Sequence, residues 1–532
     1  MMKKVIKKLL AALLAVAMVC AMAIPAFAGT EGDITTWHSF SAFQIFTGNV
    51  EGNVSNDFKI SNVAWGSNIA DDAAAFLDQL KSADTIGPLF ANAHSAQDVL
   101  EVISQWKDSD ANSIAFARFV CHYLYPNANA NPTPAVTGGS DALTFNEAGY
   151  YLIVDTTPFN PGDFDHAYNS FLLKVTKANW REPITPKAEK PSVEKKVFDN
   201  QDGTSTGVFG SSADHAINEK FQFQLTATLP ASTDNAYDYY DTYAVCFKDT
   251  LSQGITYDGL DSVVIESKGN PGNRYDITDS STIDISKLES QNYFEVNIPD
   301  VKTCAEGLDL NKGATITVTY TAHLNDKAYV NTGSGSTENK NSVQLQYSNN
   351  PRPGEYWGTT PKSEVYVYTY QLNNTKYRDD AKEGNELAGA GFHLYSDEEC
   401  KNEVELYQKD GFYFPIKDST DKDKEPVAMF SDNKGQFNVK GLDAGTYYLK
   451  ETNTPAGYSA CKVIPVTIKA DHSGNHVTLS GDLNNKIVNK KAGGITLPST
   501  GGIGTTLFYV VGGGLMVAAI VLLVTKKRME NK

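Results

Sequence analysis

Most of this 532-residue chain consists of short runs in which apolar and polar residues alternate, separated by Gly and Pro. Alternation with a period of two is typical of strands that bury one face, and it predicts strands at 38–46, at 149–155 and through much of the remaining chain. Between those two strands, apolar residues recur at spacings of three and four, which predicts helices over 70–81, 95–107 and 111–124. The pattern therefore predicts a mainly β chain with helical insertions in its N-terminal part.

Two longer apolar runs lie at the ends of the chain. Residues 9–24 follow four lysines and precede the sequence Ala-Phe-Ala, so residues 1–28 are predicted to be a signal peptide that is removed on export. Residues 503–524 would span about 33 Å as a helix, enough for a hydrocarbon core of about 30 Å. The sequence Lys-Lys-Arg at 526–528 is expected to stay in the cytoplasm. The chain is therefore predicted to be exported and then held by a C-terminal transmembrane helix.

The predicted exported region is strongly acidic. Loss of the four N-terminal lysines and of a net three positive charges after Thr500 takes the formal charge from −17 to −24. Such a surface repels phosphate backbones, so we expect no nucleic acid partner. The sequence also has no serine elbow, zinc motif or pair of catalytic carboxylates. This argues against a secreted hydrolase, and we expect no enzyme activity, metal or cofactor.

Five cysteines remain after removal of the signal peptide, and none has metal-ligand spacing. Because an exported protein can oxidise its thiols, two pairs within domains are candidate disulfides, Cys246 with Cys304 and Cys400 with Cys461. Cys121 is then left over, and it is predicted to be a buried thiol in a helix.

Two proline-rich joints divide the exported region. The first has three prolines within residues 183–191, which indicates an extended linker, and the second lies within 349–361. The resulting prediction is a signal peptide at 1–28, an N-terminal domain at 29–183, a linker at 184–191, a middle β-sandwich at 192–362, a C-terminal β-sandwich at 363–492 and a terminal sorting segment at 493–532.

Three polar side chains of the middle domain fall in phase with apolar neighbours. Strand alternation places Lys195 on the apolar face of one strand, Asp249 on that of a second and Asn341 on that of a third. Burying an amine, a carboxyl and an amide is costly unless the groups pair or react. One interpretation is a semi-buried salt bridge between Lys195 and Asp249, and the other is a reaction.

The reactive interpretation follows from desolvation. Burial lowers the pKa of a lysine, which becomes a neutral nucleophile, and raises the pKa of a carboxyl, which stays protonated. Asp249 then polarises the Asn341 carbonyl and shuttles the proton while Lys195 Nζ displaces ammonia from Cγ. The product is an isopeptide cross-link between Lys195 and Asn341.

The C-terminal domain repeats this logic. Glu451 closes an apolar strand face that it shares with Tyr447 and Leu449, which is unusual for a solvated acid. Lys376 lies upstream and Asn489 downstream, each in phase with a neighbouring apolar residue. Lys376–Asn489 is therefore the second predicted cross-link, with Glu451 as its promoting acid.

The most specific motifs lie in the C-terminal half. Residues 447–458 are YYLKETNTPAGY. The pentapeptide before the last apolar run is Leu497, Pro498, Ser499, Thr500 and Gly501. Together with FQIFTG, NEAGYYLIVD, NSVQLQYSNNP and LAGAGFHLY, these segments resemble the E-box, the LPxTG sorting signal and the domains of sortase-assembled backbone pilins of Gram-positive bacteria. The resemblance extends over nearly the whole exported region.

The resemblance implies a stack of immunoglobulin-like β-sandwiches of the collagen-adhesin type, locked by the two isopeptides. It also implies that a sortase cuts between Thr500 and Gly501 and joins Thr500 to a linker lysine of the next subunit. That lysine is Lys187 here, with Lys190 as the alternative. The first domain carries Gln44 and Asp155 where a bond would need lysine and glutamate, so no cross-link is expected in it.

The implied partners are a pilus-specific sortase, identical subunits joined head to tail, peptidoglycan at the base of the fibre, and ancillary pilins or host ligands. The implied location is the cell surface, with the chain bound to the membrane only as a precursor. Two alternatives stay open, a wall-anchored adhesin that remains monomeric and an ancillary pilin.

Overall fold

The computed structural model describes most of the region between the two terminal apolar runs. The described residues are 39–51, 59–107, 110–127, 129–139, 142–157, 167–168, 171–175, 180–183, 188–199, 207–233, 235–269, 272–332, 339–353, 357–417, 424–473, 476–492, 521 and 526. The predicted signal peptide, Lys187, the pentapeptide at 497–501 and nearly all of the predicted transmembrane helix lie outside them. Within the described residues, no helix is long and apolar enough to cross a membrane.

The first domain combines a β-sheet with helices. Its helices are α1 (Ala73–Lys81), α2 (Ala96–Ile103) and α3 (Ala111–Leu124). Its strands are β1 (Phe40–Glu51), β2 (Lys59–Trp65), β3 (Val136–Gly139), β4 (Ala142–Phe145), β5 (Gly149–Asp155), β6 (Ala167–Tyr168), β7 (Phe171–Val175) and β8 (Trp180–Pro183). The main sheet has the order β2-β1-β5-β7, with β3 also on β1, while β4 pairs with β8. Phe76 of α1 and Phe116 of α3 pack with Phe46 of β1, so the predicted helices cover the sheet.

The middle domain is a sandwich of two sheets. Its strands are β10 (Ser192–Asp199), β11 (Val208–Gly210), β12 (Ser212–Asp214), β13 (Lys220–Leu229), β14 (Val245–Leu251), β15 (Ile255–Ser267), β16 (Arg274–Asp276), β17 (Thr282–Asp284), β18 (Tyr293–Ile298), β19 (Ala314–Leu324), β20 (Asn339–Ser348), β21 (Trp357–Thr359) and β22 (Ser363–Tyr368), with a short helix α4 (Leu288–Gln291). One sheet has the order β11-β10-β13-β19-β15-β16, and the other β12-β22-β20-β14-β18-β17 with β21 on β20. Phe223, Val318 and Leu345 meet in the core between them.

The boundaries of the middle sandwich differ from the predicted ones. Strand β22 pairs antiparallel with β20, and Val365 and Val367 are fully buried in the middle core. The sandwich therefore extends to Tyr368, whereas the predicted boundary lay at residue 362. Within the predicted linker, β9 (Ala188–Glu189) pairs with β6 of the first domain. Alternation of apolar residues continues past the second proline-rich joint, and it marks the true boundary better than the prolines do.

The C-terminal domain is a second sandwich of two sheets. Its strands are β23 (Tyr370–Arg378), β24 (Gly391–Tyr395), β25 (Leu406–Lys409), β26 (Phe412–Pro415), β27 (Met429–Phe430), β28 (Val439–Leu442), β29 (Gly445–Asn453), β30 (Ile464–Ser473), β31 (His476–Gly481) and β32 (Asn484–Asn489). The sheets have the orders β25-β26-β28-β23-β32 and β27-β24-β29-β30-β31. Leu372, Phe392 and Leu449 pack in the core. The first and last strands of the domain, β23 and β32, run parallel as neighbours.

The middle and C-terminal sandwiches are joined by direct hydrogen bonds. The Ile217 amide donates to the Gly441 carbonyl at 2.9 Å, and the Ala444 amide donates to Asp214 Oδ2 at 3.1 Å. Gly441 has φ +81°, and a Cβ there would lie 2.6 Å from the Ile217 side chain. Only glycine fits this backbone conformation and this close approach without strain.

We expect Gly441→Ala to lower the free energy of unfolding by about 2–4 kcal/mol, because it adds a clash with buried Ile217 to the cost of a left-handed alanine. Gly384→Ala is the matched control, since Gly384 has φ +85° but a Cβ added to it would meet no heavy atom within 4 Å. That control should lose only about 1 kcal/mol. Denaturant unfolding of both variants checks this, and equal losses would contradict the docking of Ile217 on Gly441.

Candidate lysine–asparagine sites

Lys195, Asp249 and Asn341 meet inside the middle sandwich. Lys195 lies on β10 of one sheet, while Asp249 on β14 and Asn341 on β20 lie on adjacent strands of the other. The side chains of Lys195 and Asp249 are fully buried, and Asn341 is 0 % exposed. The structure therefore brings together, out of contact with water, the three groups that strand phase had selected.

A hydrogen-bond network connects these groups through Tyr320 of β19. Lys195 Nζ donates to Asp249 and, at 3.0 Å, to Tyr320 Oη. Tyr320 Oη donates to Asp249 Oδ1 at 3.2 Å and accepts from Asn341 Nδ2 at 2.6 Å. The rings of Phe223 and Tyr320 lie 5.0 and 5.2 Å from Nζ. Asn341 Oδ1 is buried and has no hydrogen-bond partner among the described residues, so its carbonyl is open to an acid.

Desolvation decides the charge state of the middle site. Burial lowers the pKa of Lys195 to about 8, although the neighbouring Asp249 opposes the shift. Burial also raises the pKa of Asp249, against the opposing effect of Lys195 and of the hydrogen bonds it accepts. Both shifts favour an uncharged amine beside a carboxylic acid over a buried ion pair. A neutral amine in this position is a nucleophile.

The C-terminal domain assembles its site from a different set of strands. In the parallel pair β23–β32, Lys376 lies opposite Ile487 and Arg378 lies opposite Asn489. Lys376 and Asn489 are therefore two positions apart on the same face of one sheet. Glu451 comes from β29 of the facing sheet. The structure brings these three residues together as well.

The Asn489 amide lies between the amine and the acid. Lys376 Nζ donates to Asn489 Oδ1 at 2.6 Å, and Asn489 Nδ2 donates to Glu451 Oε1 at 2.6 Å. Lys376 Nζ is 3.7 Å from Glu451 Oε2, which also accepts the Cys461 amide at 2.8 Å. The side chains of Lys376 and Glu451 are fully buried, and the Phe392 ring lies 5.1 Å from Nζ. The amine, the carbonyl and the acid are thus in mutual contact in a dry environment.

Burial is also the main influence on the titratable groups of the C-terminal site. It lowers the pKa of Lys376, and the neighbouring Cys461 and Glu451 oppose that shift. It raises the pKa of the Cys461 thiol to about 11, so this thiol is protonated at neutral pH. The site therefore holds an amine whose neutral form is favoured by its surroundings.

Each arrangement buries the groups that amide exchange requires: an amine with a lowered pKa, an amide and a carboxyl. The two sites differ in how the acid reaches the amide. In the middle domain the acid and the asparagine share a sheet, and Tyr320 connects the groups. In the C-terminal domain Glu451 contacts the amide directly from the opposite sheet.

Sequence reasoning missed the residues that surround the reacting groups. Tyr320 contacts all three polar groups of the middle site, and Cys461 lies beside Glu451 in the other. Strand alternation could have placed Tyr320 in the core, because it is in phase with Ile316 and Val318 on β19. It could not have placed Cys461, because that residue lies outside any strand.

The remaining predicted site residues are placed as follows. In the first domain, Gln44 Nε2 donates to Tyr151 Oη at 3.0 Å, and Asp155 Oδ1 accepts from Thr157. The absence of a cross-link there stays a prediction. Lys190, the alternative linkage residue, is exposed. Lys187 and the sorting pentapeptide lie outside the described residues.

Both predicted disulfides are wrong, since Cys246, Cys304, Cys400 and Cys461 are all free thiols. Cys246 Sγ lies 3.6 Å from Glu295 Oε2, and Cys304 Sγ donates to the Val301 carbonyl at 3.2 Å. Two cysteines of the same domain need not be neighbours, because their positions depend on which strands face each other. Each of these thiols contacts a different residue. Cys121 is buried in α3, in agreement with the prediction.

Fold and sites together define a mainly β protein whose sandwiches contain buried Lys–Asn–acid groups. A model of the prealbumin-like fold domain SpaA matches residues 372–482, and a model of the LPXTG cell wall anchor motif matches residues 489–531. The chain is 26% identical over 362 residues to the trypsin-resistant surface T6 protein of Streptococcus pyogenes serotype M6. That match covers 62% of this chain, and the chain spans only 58% of the relative.

The matches among solved structures include two pilins. The T6 backbone pilin of serotype M6 Streptococcus pyogenes has a TM-score of 0.45 and 16% identity, covering 86% of this chain and 97% of that one. The full-length major pilin SpaD from Corynebacterium diphtheriae has a TM-score of 0.39 and 17% identity, covering 65% and 77%. The family models and the T6 relative confirm the predicted resemblance to wall-anchored surface proteins of Gram-positive bacteria and the predicted cell wall location. The described strands confirm the mainly β class.

The thiol environments predict a ranking of alkylation rates in the folded protein. At pH 8, iodoacetamide should modify Cys400 about tenfold or more faster than Cys246, because burial raises the pKa of Cys246 to about 12 and leaves almost no thiolate. Cys400 lies partly exposed in a turn. Peptide mapping measures the rates, and unfolding should make the two thiols equally reactive. A disulfide-linked peptide pair from the native protein would contradict the structure.

Proposed function

We propose that this chain is the backbone subunit of a covalent surface pilus, and that Lys195–Asn341 and Lys376–Asn489 become isopeptide bonds without help from an enzyme. The observation that carries the proposal is the buried contact of Lys376, Asn489 and Glu451. The contact between the amine and the amide and the contact between the amide and the acid are each 2.6 Å long. Burying such polar groups is costly, and the core of a plain adhesin would gain nothing from it.

In the C-terminal domain the bond forms by nucleophilic attack on the amide. Neutral Lys376 Nζ adds to Asn489 Cγ, and Glu451 supplies a proton to the departing nitrogen, which leaves as ammonia. The proton lost from Nζ returns to Glu451. One C–N bond forms and one breaks, so no oxidant or cofactor is consumed. The acid is regenerated but acts only once in each chain.

The middle domain follows the same steps with one additional group. Lys195 Nζ attacks Asn341 Cγ, and Asp249, whose pKa is raised by burial, is the proton source. Tyr320 accepts the Asn341 amide hydrogen and contacts both Asp249 and Lys195. Tyr320 therefore orients the leaving nitrogen toward the acid.

The two bonds protect the domains from unfolding. In the C-terminal domain the bond joins the first strand, β23, to the last strand, β32. Tension then passes through the bond rather than through the chain between Lys376 and Asn489, which are 113 positions apart. Like any cross-link that closes a long loop, it also restricts the unfolded chain, by roughly 3–5 kcal/mol. Unlike a disulfide, it survives reduction.

Polymerisation uses the two segments at opposite ends of the exported region. A sortase attacks Thr500, releases the chain from Gly501 onward and holds the subunit as a thioester. Lys187 of a neighbouring subunit then resolves that thioester and joins the two chains. Repetition gives a head-to-tail fibre, an open heterologous polymer whose base is attached to peptidoglycan. The chain is the substrate in this reaction and the sortase is the enzyme.

The first prediction from this proposal concerns mass. The exported region produced without sortase should be lighter than its sequence mass by two ammonias, about 17 Da each. Glu451→Ala and Asp249→Ala should each restore one ammonia, because each removes the acid of one site. Asp155→Ala removes a buried acid of the first domain and should leave the deficit unchanged. If intact-mass spectrometry finds no deficit, the two sites are salt bridges rather than cross-links, and the result favours a plain wall-anchored adhesin.

The second prediction concerns the linkage lysine. Incubation with the pilus sortase should convert the wild-type chain into a ladder of covalent oligomers, and Lys187→Arg should abolish that ladder. Lys190→Arg is the matched control three residues away and should polymerise normally. Loss of the ladder in Lys190→Arg alone would move the linkage to Lys190. An unchanged ladder in the double variant would rule out the linker as the acceptor segment.

A further inference from the structure

The junction between the middle and C-terminal sandwiches contains metal-ligating side chains outside both cross-link sites. His215 and Glu219 follow β12 of the middle domain, and Asp443 lies in the turn between β28 and β29 of the C-terminal domain. One imidazole nitrogen and one oxygen from each carboxylate all lie within 4.8 Å of one another. The group exists only when the two domains are docked.

The imidazole of His215 has one ring nitrogen to offer. His215 is 2% exposed, and its Nε2 lies 2.7 Å from the Phe198 carbonyl oxygen. Because a carbonyl only accepts hydrogen bonds, Nε2 carries the proton and Nδ1 keeps a bare lone pair. Nδ1 is buried and has no hydrogen-bond partner among the described residues. A ring that donates one N–H to a backbone carbonyl while its other nitrogen is unpaired has the form of a metal-ligating histidine.

The surroundings fix the ring and disfavour its cationic form. The His215 ring stacks on Phe221 with a centroid separation of 4.1 Å. The His215 amide also donates to the Tyr368 carbonyl at 3.0 Å, which anchors the backbone at the end of the middle sandwich. Burial lowers the pKa of His215, so the ring is neutral, as a ligand must be.

The two carboxylates open onto a cleft between the domains. Glu219 and Asp443 line this cleft, which has a volume of about 690 Å³, together with Glu405. The Glu219 side chain is 24% exposed, so an ion and its water ligands can enter from solvent. Lys417 Nζ lies 3.8 Å from Glu219 Oε2, a long contact that an ion of higher charge would displace.

We propose that His215, Glu219 and Asp443 bind a divalent zinc ion that ties the middle domain to the C-terminal domain. Imidazole nitrogen and carboxylate oxygen are both zinc ligands, and three protein ligands with water in the fourth position form an open tetrahedral site. Calcium and magnesium prefer oxygen ligands, so the imidazole nitrogen of His215 favours zinc over both ions. Zinc–ligand distances of about 2.0–2.2 Å require the carboxylates to close in slightly, which their position at the cleft permits.

A neighbouring group lacks this open donor. Asp199, Asp214 and His472 also lie within 4.8 Å of one another. Both ring nitrogens of His472 are hydrogen-bonded, Nδ1 to Ser212 Oγ at 2.7 Å and Nε2 to Asp214 Oδ1 at 2.8 Å. That group is a closed hydrogen-bond network across the same junction, and it provides the control for the zinc site.

The test is zinc binding by the tag-free exported chain, residues 29–500, after treatment with a chelator. Native mass spectrometry and calorimetry with zinc chloride should give one ion per chain. Glu219→Gln and Asp443→Asn should each weaken the affinity about tenfold or more. His472→Gln and Glu405→Gln, which alter a neighbouring histidine and a neighbouring acid, should bind as the wild type does. ¹⁵N NMR should show the shift on zinc addition at Nδ1 of His215 rather than at Nε2.

Three results would overturn the proposal: no zinc bound at about 0.1 mM free zinc; binding that survives both carboxylate variants; or binding lost in His472→Gln. Because Gln and Asn keep the size of the acids they replace and both acids lie at the edge of the cleft, these variants should fold. Their thermal unfolding without zinc verifies that. The mass deficit of the cross-links should be unchanged in them, so this test is independent of the proposed function.

Discussion

Burial of a lysine amine among aromatic rings is the constraint on which both sandwiches depend. Taking an ammonium ion out of water costs several kcal/mol, and a neighbouring carboxylate repays that cost only in part. At Lys195 burial outweighs the attraction of Asp249 and lowers the lysine pKa to about 8. The same desolvation that makes the ion pair unfavourable therefore creates the nucleophile. An amide bond resolves the conflict, because it leaves no buried amine to be charged.

The two sites place the lysine and the asparagine in different topologies. In the middle domain Lys195 and Asn341 belong to facing sheets, so a bond between them clamps the sandwich across its core. In the C-terminal domain Lys376 and Asn489 belong to neighbouring parallel strands, so a bond between them reinforces one sheet along its ladder. The first arrangement resists separation of the sheets, and the second resists sliding of the terminal strands. A chain under axial tension needs both kinds of protection.

Reasoning from sequence identified the residues whose position depends only on the two-residue period of a strand. Lys195, Asp249 and Asn341 were found because a strand places every second side chain on one face, whatever the partner strands are. The disulfide between Cys246 and Cys304 failed because it required knowledge of which strands face each other, and that is decided by packing of the whole core. Tyr320 was missed because a tyrosine that faces the core is common. Its role becomes visible only when its three polar neighbours are known.

Both proposed cross-links lie inside domains, so they give no protection to the junctions between domains. The contact between the last two sandwiches includes hydrogen bonds from Ile217 to Gly441 and from Ala444 to Asp214, the His472 network, and the packing of Tyr407 and Phe414 against the middle core. Such bonds contribute about 0.5–1.5 kcal/mol each, far less than a covalent strand clamp. Extension of the chain is therefore expected to begin by undocking here, with both sandwiches intact. The zinc ion proposed at His215 and Asp443 acts at this junction, which neither proposed cross-link reaches.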